Sequence, residues 1–217
     1  MVQETRRTST VAIDDIASVT AATPPLEVVR LFLSLGMSMK GPNGEPLVWQ
    51  FLDVSRAHPH VDVLRKHFYV QAPAEWGLGD DMCLLCRKCW YGMRDAGQAF
   101  EFAVRDHFVS QGFEQGLFSS CVYRCADPGR FMIYFIHGDD YVGLGTQSVL
   151  YGYLDALRER FIIKVRAVLG AAPGNDQEVR MLNRVIAYKA GLNGKPDVVT
   201  YEADQRHVDV LASAYGL

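Results

Sequence analysis

Residues 131–145 read FMIYFIHGDDYVGLG, and the reading of this stretch decides the fold class. FMIYFI at 131–136 and YVGLG at 141–145 are short runs rich in aromatic and aliphatic residues, suited to strands. His137-Gly138-Asp139-Asp140 between them is a tight polar turn, so the segment predicts a β-hairpin with two adjacent carboxylates at its bend. Gly-Asp pairs are common in such turns for conformational reasons alone, so the turn by itself leaves structural and catalytic readings open.

Upstream, VWQFLDV at 48–54 is a largely apolar run that fits a buried strand ending near Asp53, and GPNGEP at 41–46 is the turn leading into it. Before that, Thr23-Pro24-Pro25 opens a helix. Threonine suits the N-cap, proline is tolerated at the first helical position, and Gly36 is a plausible stop. Leu26, Val29 and Leu33 give this helix an apolar face. Downstream, Asp95 can cap a second helix with Phe100, Val104 and Phe108 on one side and Gly112 at its end. A third helix from about Ser148 carries Leu150, Leu154, Leu157 and Phe161, and FIIKVRAVL at 161–169 alternates like a strand. RVIAYKA and VVTYEA flank a Gly/Asn/Pro turn and predict a second hairpin. Asp204 can cap a last helix with Val208, Leu211 and Tyr215 on one side. Two hairpins among helices favour an α+β fold with an antiparallel or mixed sheet over a parallel α/β one.

Composition bounds the function classes. With 217 residues, 49% hydrophobic and 22% charged, the chain can bury a real core, which argues against wholesale disorder. A formal net charge of −3 means that any nucleic-acid contact must come from a local basic channel rather than from bulk charge. The longest apolar runs, such as LFLSLGM at 31–37, are too short to span a bilayer, so no membrane partner is expected. MVQETRRTST has no apolar stretch that would make it a signal peptide, and five cysteines, an odd count, then point to an intracellular home. Cytoplasm and nucleus are not distinguished. Residues 1–20 are polar and aperiodic, and read as a flexible tail.

A strand ending in Asp53 and facing a turn with Asp139 and Asp140 has the parts needed for two-metal phosphoryl transfer. One divalent cation activates a 3′-hydroxyl and the other steadies the leaving group, and few carboxylates are needed if they are placed tightly. The order of parts, strand–Asp, helix, hairpin–Asp-Asp, raises this reading above the structural one.

Four stretches in order carry a resemblance to a known family. They are Asp53-Val54-Ser55-Arg56-Ala57, Phe68-Tyr69-Val70-Gln71-Ala72-Pro73, Tyr91-Gly92-Met93-Arg94-Asp95-Ala96-Gly97 with Phe100, and His137-Gly138-Asp139-Asp140. Together they resemble the Asp-Val-x-x-Ala, Tyr-(Met/Val)-x-x-Pro, Tyr-Gly-Leu-Lys-Gln-Ala-Pro and aromatic-Val-Asp-Asp motifs of reverse transcriptases of the Ty1/copia retrotransposon type. The resemblance covers about residues 21–217. It implies a palm, an antiparallel sheet packed on helices, with truncated fingers and the start of a thumb. It implies an RNA-directed DNA polymerase using deoxynucleoside triphosphates on an RNA or DNA template-primer, with Mg2+ or Mn2+ held by Asp53, Asp139 and Asp140. Tyr91, Gly92 and the following helix would line the nucleotide and template side, and His58 would stand at the position that screens the ribose 2′-hydroxyl.

The chain departs from the family in several places. His137 and Gly138 replace an aromatic and a Val or Met, Asp95 stands for Gln, and Gly97 stands for Pro. Only Arg6 and Arg7 lie where a basic fingers segment is usual. The alternatives are a reverse-transcriptase-like fold without catalysis and a viral RNA-dependent RNA polymerase, for which Gly-Asp-Asp is the hallmark turn. The RNA polymerases place a second Asp five residues after the first, where this chain has His58. Cys83, Cys86 and Cys89, with Cys121 and Cys125, could instead hold zinc or an iron–sulfur cluster. Against this, the resemblance makes MCLLCRKCWYG a strand, on which residues three apart point to opposite faces. His60, His67, His107 and His207 read as surface or capping residues, and Trp49, Trp76 and Trp90 as core or loop anchors. Arg87, Lys88 and Arg94 suit either a nucleic-acid backbone or a solvated face.

Overall fold

A computed structural model of the chain describes residues 23–64, 68–79, 81–193 and 195–216. The expected tail at 1–20, His67 and the side chain of His207 lie outside the described residues. In chain order the strands are β1 (Val48–Val54), β2 (Tyr69–Gln71), β3 (Cys83–Leu85), β4 (Phe113–Gln115), β5 (Val122–Cys125), β6 (Met132–His137), β7 (Asp140–Gly145), β8 (Ile163–Leu169), β9 (Glu178–Met181), β10 (Arg184–Lys189) and β11 (Val198–Ala203). The helices are α1 (Leu26–Ser38), α2 (Ala96–Ser110), α3 (Gln147–Arg160) and α4 (Gln205–Tyr215), with short 3-10 turns at His58–His60 and Ala74–Trp76.

The fold is α+β. A six-stranded sheet runs in the order β4-β5-β6-β7-β1-β8, and each neighbouring pair is antiparallel. A second, three-stranded antiparallel sheet has the order β11-β10-β9, and β2 and β3 form a separate pair.

Side-chain alternation turns the large sheet into the middle of three layers. Met132, Tyr134 and Ile136 of β6 join Leu52, Phe100, Phe108, Leu150 and Leu154 in one core, under α2 and α3. Trp49, Phe51, Phe135, Val142 and Leu144 join Val29, Phe32, Met181 and Ile186 in the other, under α1 and the small sheet. Strands covered on both faces read as near-continuous apolar runs, which is why β1 is so hydrophobic. Each large side chain fully removed from water here contributes about 1.5–3 kcal/mol.

The second core explains a glycine. A Cβ on Gly36 would lie 2.2 Å from the Trp49 ring, so the helix closes on the indole only because that position is bare. Trp49 Nε1 in turn donates to Phe32 O at 3.2 Å. Gly36 therefore lies inside α1, which runs on to Ser38, and does not end it. The cap also differs from expectation: Pro25 occupies the N-cap position and no side chain caps it, so Thr23 has no such role.

Other expectations need correction. Asp95 stands at the N-cap of α2, yet its side chain makes no capping hydrogen bond. MCLLCRKCWYG is a strand only over Cys83–Leu85. Trp76 and Trp90 are 62% and 52% exposed, so of the three tryptophans only Trp49 is a core residue. Asp204 does cap α4, accepting from the Arg206 backbone N–H, but Val208, Leu211 and Tyr215 on that helix are all exposed. Among the described residues no helix is long and apolar enough to cross a membrane.

Candidate functional site

The bend of the β6–β7 hairpin is a two-residue loop, Gly138-Asp139, closed by the His137–Asp140 pair. Gly138 has a φ of 62°, the left-handed region that glycine enters without penalty. The end of β1 is pinned against this bend, since Val54 N–H donates to Asp139 O at 2.8 Å and Ser55 N–H donates to Ile162 O at 2.9 Å. Arg56, the next residue, takes a left-handed φ of 55°, which turns the chain sharply into the His58–His60 turn.

Register then sets the charges in a row. Asp140 of β7 is the cross-strand partner of His137 on one side and of Asp53 on the other, and Asp53 is the partner of Lys164 in β8. Directly opposed residues of antiparallel strands share a face, with Cβ atoms about 4.5–5.5 Å apart. His137, Asp140, Asp53 and Lys164 thus form one line across four strands. By alternation with Trp49 and Phe51, and with Val142 and Leu144, the line lies on the face of α1 and the small sheet.

The third carboxylate is placed differently. Asp139 is exposed at the tip of the bend, and its charge acts on His58. The His58 ring lies 4.7 Å from that of Tyr91 and 6.4 Å from that of Phe100. Burial lowers the His58 pKa, Asp139 opposes this, and Nδ1 is buried without a hydrogen-bond partner. Tyr91 is half exposed, and Gly92 beside it turns the chain with a φ of 93°. The expected site residues therefore fall into two groups around one bend: Asp53 with Asp140, and Asp139 with His58 and Tyr91.

The surroundings of Asp140 act on it in opposite senses. Burial raises its pKa, Arg166 pulls it back down, and Asp139 and Asp53 add to the rise. Arg166 Nη1 donates to Asp140 Oδ1 at 3.0 Å, and its Nη2 donates to Arg180 O of β9 at 2.9 Å. Arg166 reaches there because of an irregularity in the β1–β8 ladder. Phe51 pairs with Ala167 but Leu52 with Val165, so Arg166 is the extra residue of a bulge. A bulge re-aims the side chain it carries.

Sequence reasoning missed Lys164 and Arg166. Their spacing of two within FIIKVRAVL was a signal that both lean toward one side, but the bulge that directs Arg166 left no mark in the sequence. It also missed His107, which is half-buried among the rings of Phe108, Tyr153 and Phe161 rather than at the surface. Its position seven residues after Phe100 on a helix was the available sign. His60 is likewise partly buried, donating from Nε2 to Ser55 O at 3.1 Å.

Hard carboxylate oxygens are what magnesium and manganese take, and magnesium commonly uses one or two of them with water and substrate oxygens completing its shell. Asp53 and Asp140, half-buried and facing the same way, fit that chemistry. Among the described residues no three His, Cys, Asp or Glu side chains form a metal-holding group. Of the clustered cysteines, Cys83 is exposed, Cys86 half-buried and Cys89 buried, its thiol donating to Asp62 O at 3.4 Å.

Comparison with family models, curated proteins and solved structures finds no match to this chain.

Proposed function

We propose that the chain is the fingers–palm core of an RNA-directed DNA polymerase of the Ty1/copia reverse-transcriptase type, extending a primer 3′-hydroxyl with deoxynucleoside triphosphates. The observation that carries this reading is the opposition of Asp53 and Asp140 beside the Gly138–Asp139 bend. The two acids come from motifs far apart in the chain, and the antiparallel sheet behind them is backed by α2 and α3. A divalent cation bound to these carboxylates would supply the positive charge that activates the 3′-hydroxyl and steadies the departing pyrophosphate.

The chain's own residues have separable tasks. Asp53 and Asp140 hold negative oxygens toward one face, and Asp139 presents another at the tip of the bend. His58, braced by Tyr91 and Phe100, forms a wall beside Asp139 where the sugar of an incoming nucleotide would pass. Half-exposed Tyr91 and Trp90 offer ring faces, and Arg87 and Arg94 nearby are exposed cations suited to a phosphate backbone.

Primer extension on RNA and DNA templates with Mg2+ or Mn2+ tests the reading. Extension should fall at least about a hundredfold in Asp53→Asn and in Asp139→Asn, the order expected when a group that stabilises transition-state charge is removed. Extension that survives both substitutions would exclude it. One observation favours a second reading, a reverse-transcriptase-like fold without catalysis: the Arg166 guanidinium already sits on Asp140. No extension by the unsubstituted chain on either template would select that alternative.

A further inference from the structure

Arg166 is tied at both ends of its guanidinium. One nitrogen holds the Asp140 carboxylate and the other holds a backbone carbonyl of the small sheet. The Asp140 side chain is 20% exposed and that of Arg166 is 37% exposed, so the ion pair is partly withdrawn from water. A surface ion pair between long, free side chains is worth little, but this one is fixed by the bulge and by the β9 carbonyl. From this geometry, and resting on the metal-dependent reading above, we infer that Arg166 is a resident cation. It neutralises Asp140 while no divalent ion is bound, and it must release Asp140 for one to bind.

The second tie gives that exchange a mechanical consequence. Arg180 lies on β9, and its own side chain approaches the buried carboxylate of Asp204 at 3.7 Å. Asp204 caps α4 and pairs with Arg206. Arg166 is thus the first member of a chain of polar contacts running from Asp140 through the β9 backbone to the start of α4. A guanidinium that leaves Asp140 loses the partner that fixes its position, and its hold on the Arg180 carbonyl loosens as well. Cation binding at Asp53 and Asp140 therefore loosens β9. Lys164, the cross-strand partner of Asp53, has the same charge one rung away but no tie to β9 among the contacts described.

The test measures Mn2+ binding to the full chain by the electron paramagnetic resonance signal of free Mn2+, with amide hydrogen exchange over Glu178–Met181 as second readout. Arg166→Gln should tighten Mn2+ binding about tenfold, because a nearby positive charge and a competitor are both removed. Lys164→Gln, which removes charge alone, should tighten it only about twofold on the same grounds. Arg166→Lys keeps the charge and should stay near the unsubstituted protein. Mn2+ should speed exchange in β9 of the unsubstituted chain, whereas Arg166→Gln should exchange fast with or without Mn2+. Equal or weaker Mn2+ binding by Arg166→Gln, or β9 exchange indifferent to Mn2+, overturns the inference and leaves the polymerase reading standing. Absence of Mn2+ binding in every variant removes both. Tighter binding in Arg166→Gln without primer extension by any variant keeps the exchange and removes the polymerase.

Discussion

Asp53 and Asp140 face each other across β1 and β7 with no residue between them. Two carboxylates opposed in this way repel, and like charges directly across an antiparallel pair destabilise a sheet. The arrangement makes sense if a cation is to sit there, and it sets stability against function.

Asp53→Asn relieves this repulsion but also gives up the charge opposite Lys164, so it should shift the metal-free protein by no more than about 0.2–1 kcal/mol, the scale of one cross-strand charge pair. Asp140→Asn should gain less or lose stability, because it also gives up the Arg166 ion pair. Urea unfolding in the presence of a chelator measures both. A larger gain in Asp140→Asn than in Asp53→Asn would contradict the assignment of Arg166 to Asp140.

The β6–β7 hairpin should be sensitive to added side chains at two glycines, one in its bend and one within β7, for different reasons. Gly138→Ala places a Cβ in a left-handed conformation with open space around it, so the cost should be about 1 kcal/mol. Gly143→Ala brings a Cβ to 2.6 Å from the Tyr134 ring inside the core, and overpacking of that kind costs about 1–3 kcal/mol. Unfolding midpoints in denaturant should rank Gly143→Ala below Gly138→Ala.

In an active protein, His58→Ala should raise the use of ribonucleotides relative to deoxyribonucleotides, since it removes the wall that Tyr91 and Phe100 brace. Competition between the two nucleotide types during primer extension reads the ratio directly. An unchanged ratio would take His58 out of sugar selection.

His107 gives the fold a pH dependence of its own. Burial lowers its pKa below the ordinary 6.5, and Arg160 lowers it further. The unfolded chain therefore takes up the proton more readily than the folded one. Stability that is full above pH 6.5 is lost as pH falls toward the lower folded value. Thermal unfolding followed from pH 7.5 to pH 5 should show that decline, and His107→Leu should flatten it, leaving the contribution of His58, whose pKa burial also lowers.

Most of this architecture is legible in the sequence. β1, the β6–β7 hairpin, the β10–β11 hairpin and the Asp204 cap all follow from local signals: an apolar run, a Gly-Asp bend, a Gly/Asn/Pro turn and a short acid before a helix. What escaped reading is what long-range packing decides. β9 is only four residues long and exists because β10 pairs with it. The Arg166 bulge is a property of how β8 lies on β1, and the pairing of Asp53 with Asp140 rather than Asp139 is a matter of register. Nothing within a few residues of any of these positions encodes them.

The strand order of the large sheet also bears on how the protein reaches this structure. β1 is the first of its strands to be made, yet it lies between β7 and β8, two of the last in the chain to complete that sheet. Local contacts can form α2, α3 and the β6–β7 hairpin early, but β1 has no strand partner until β7 is made, and its second edge waits for Leu169 of β8. Such distant pairings close slowly, because loop entropy is lost before the contacts form. A seven-residue strand as apolar as VWQFLDV would meanwhile be exposed to other chains. The acidic pair is thus a long-range feature, formed only when the β6–β7 hairpin docks on β1. Truncation before Asp140 would remove one member of the pair outright, and truncation before Leu169 would leave the other edge of β1 unpaired and open to other chains.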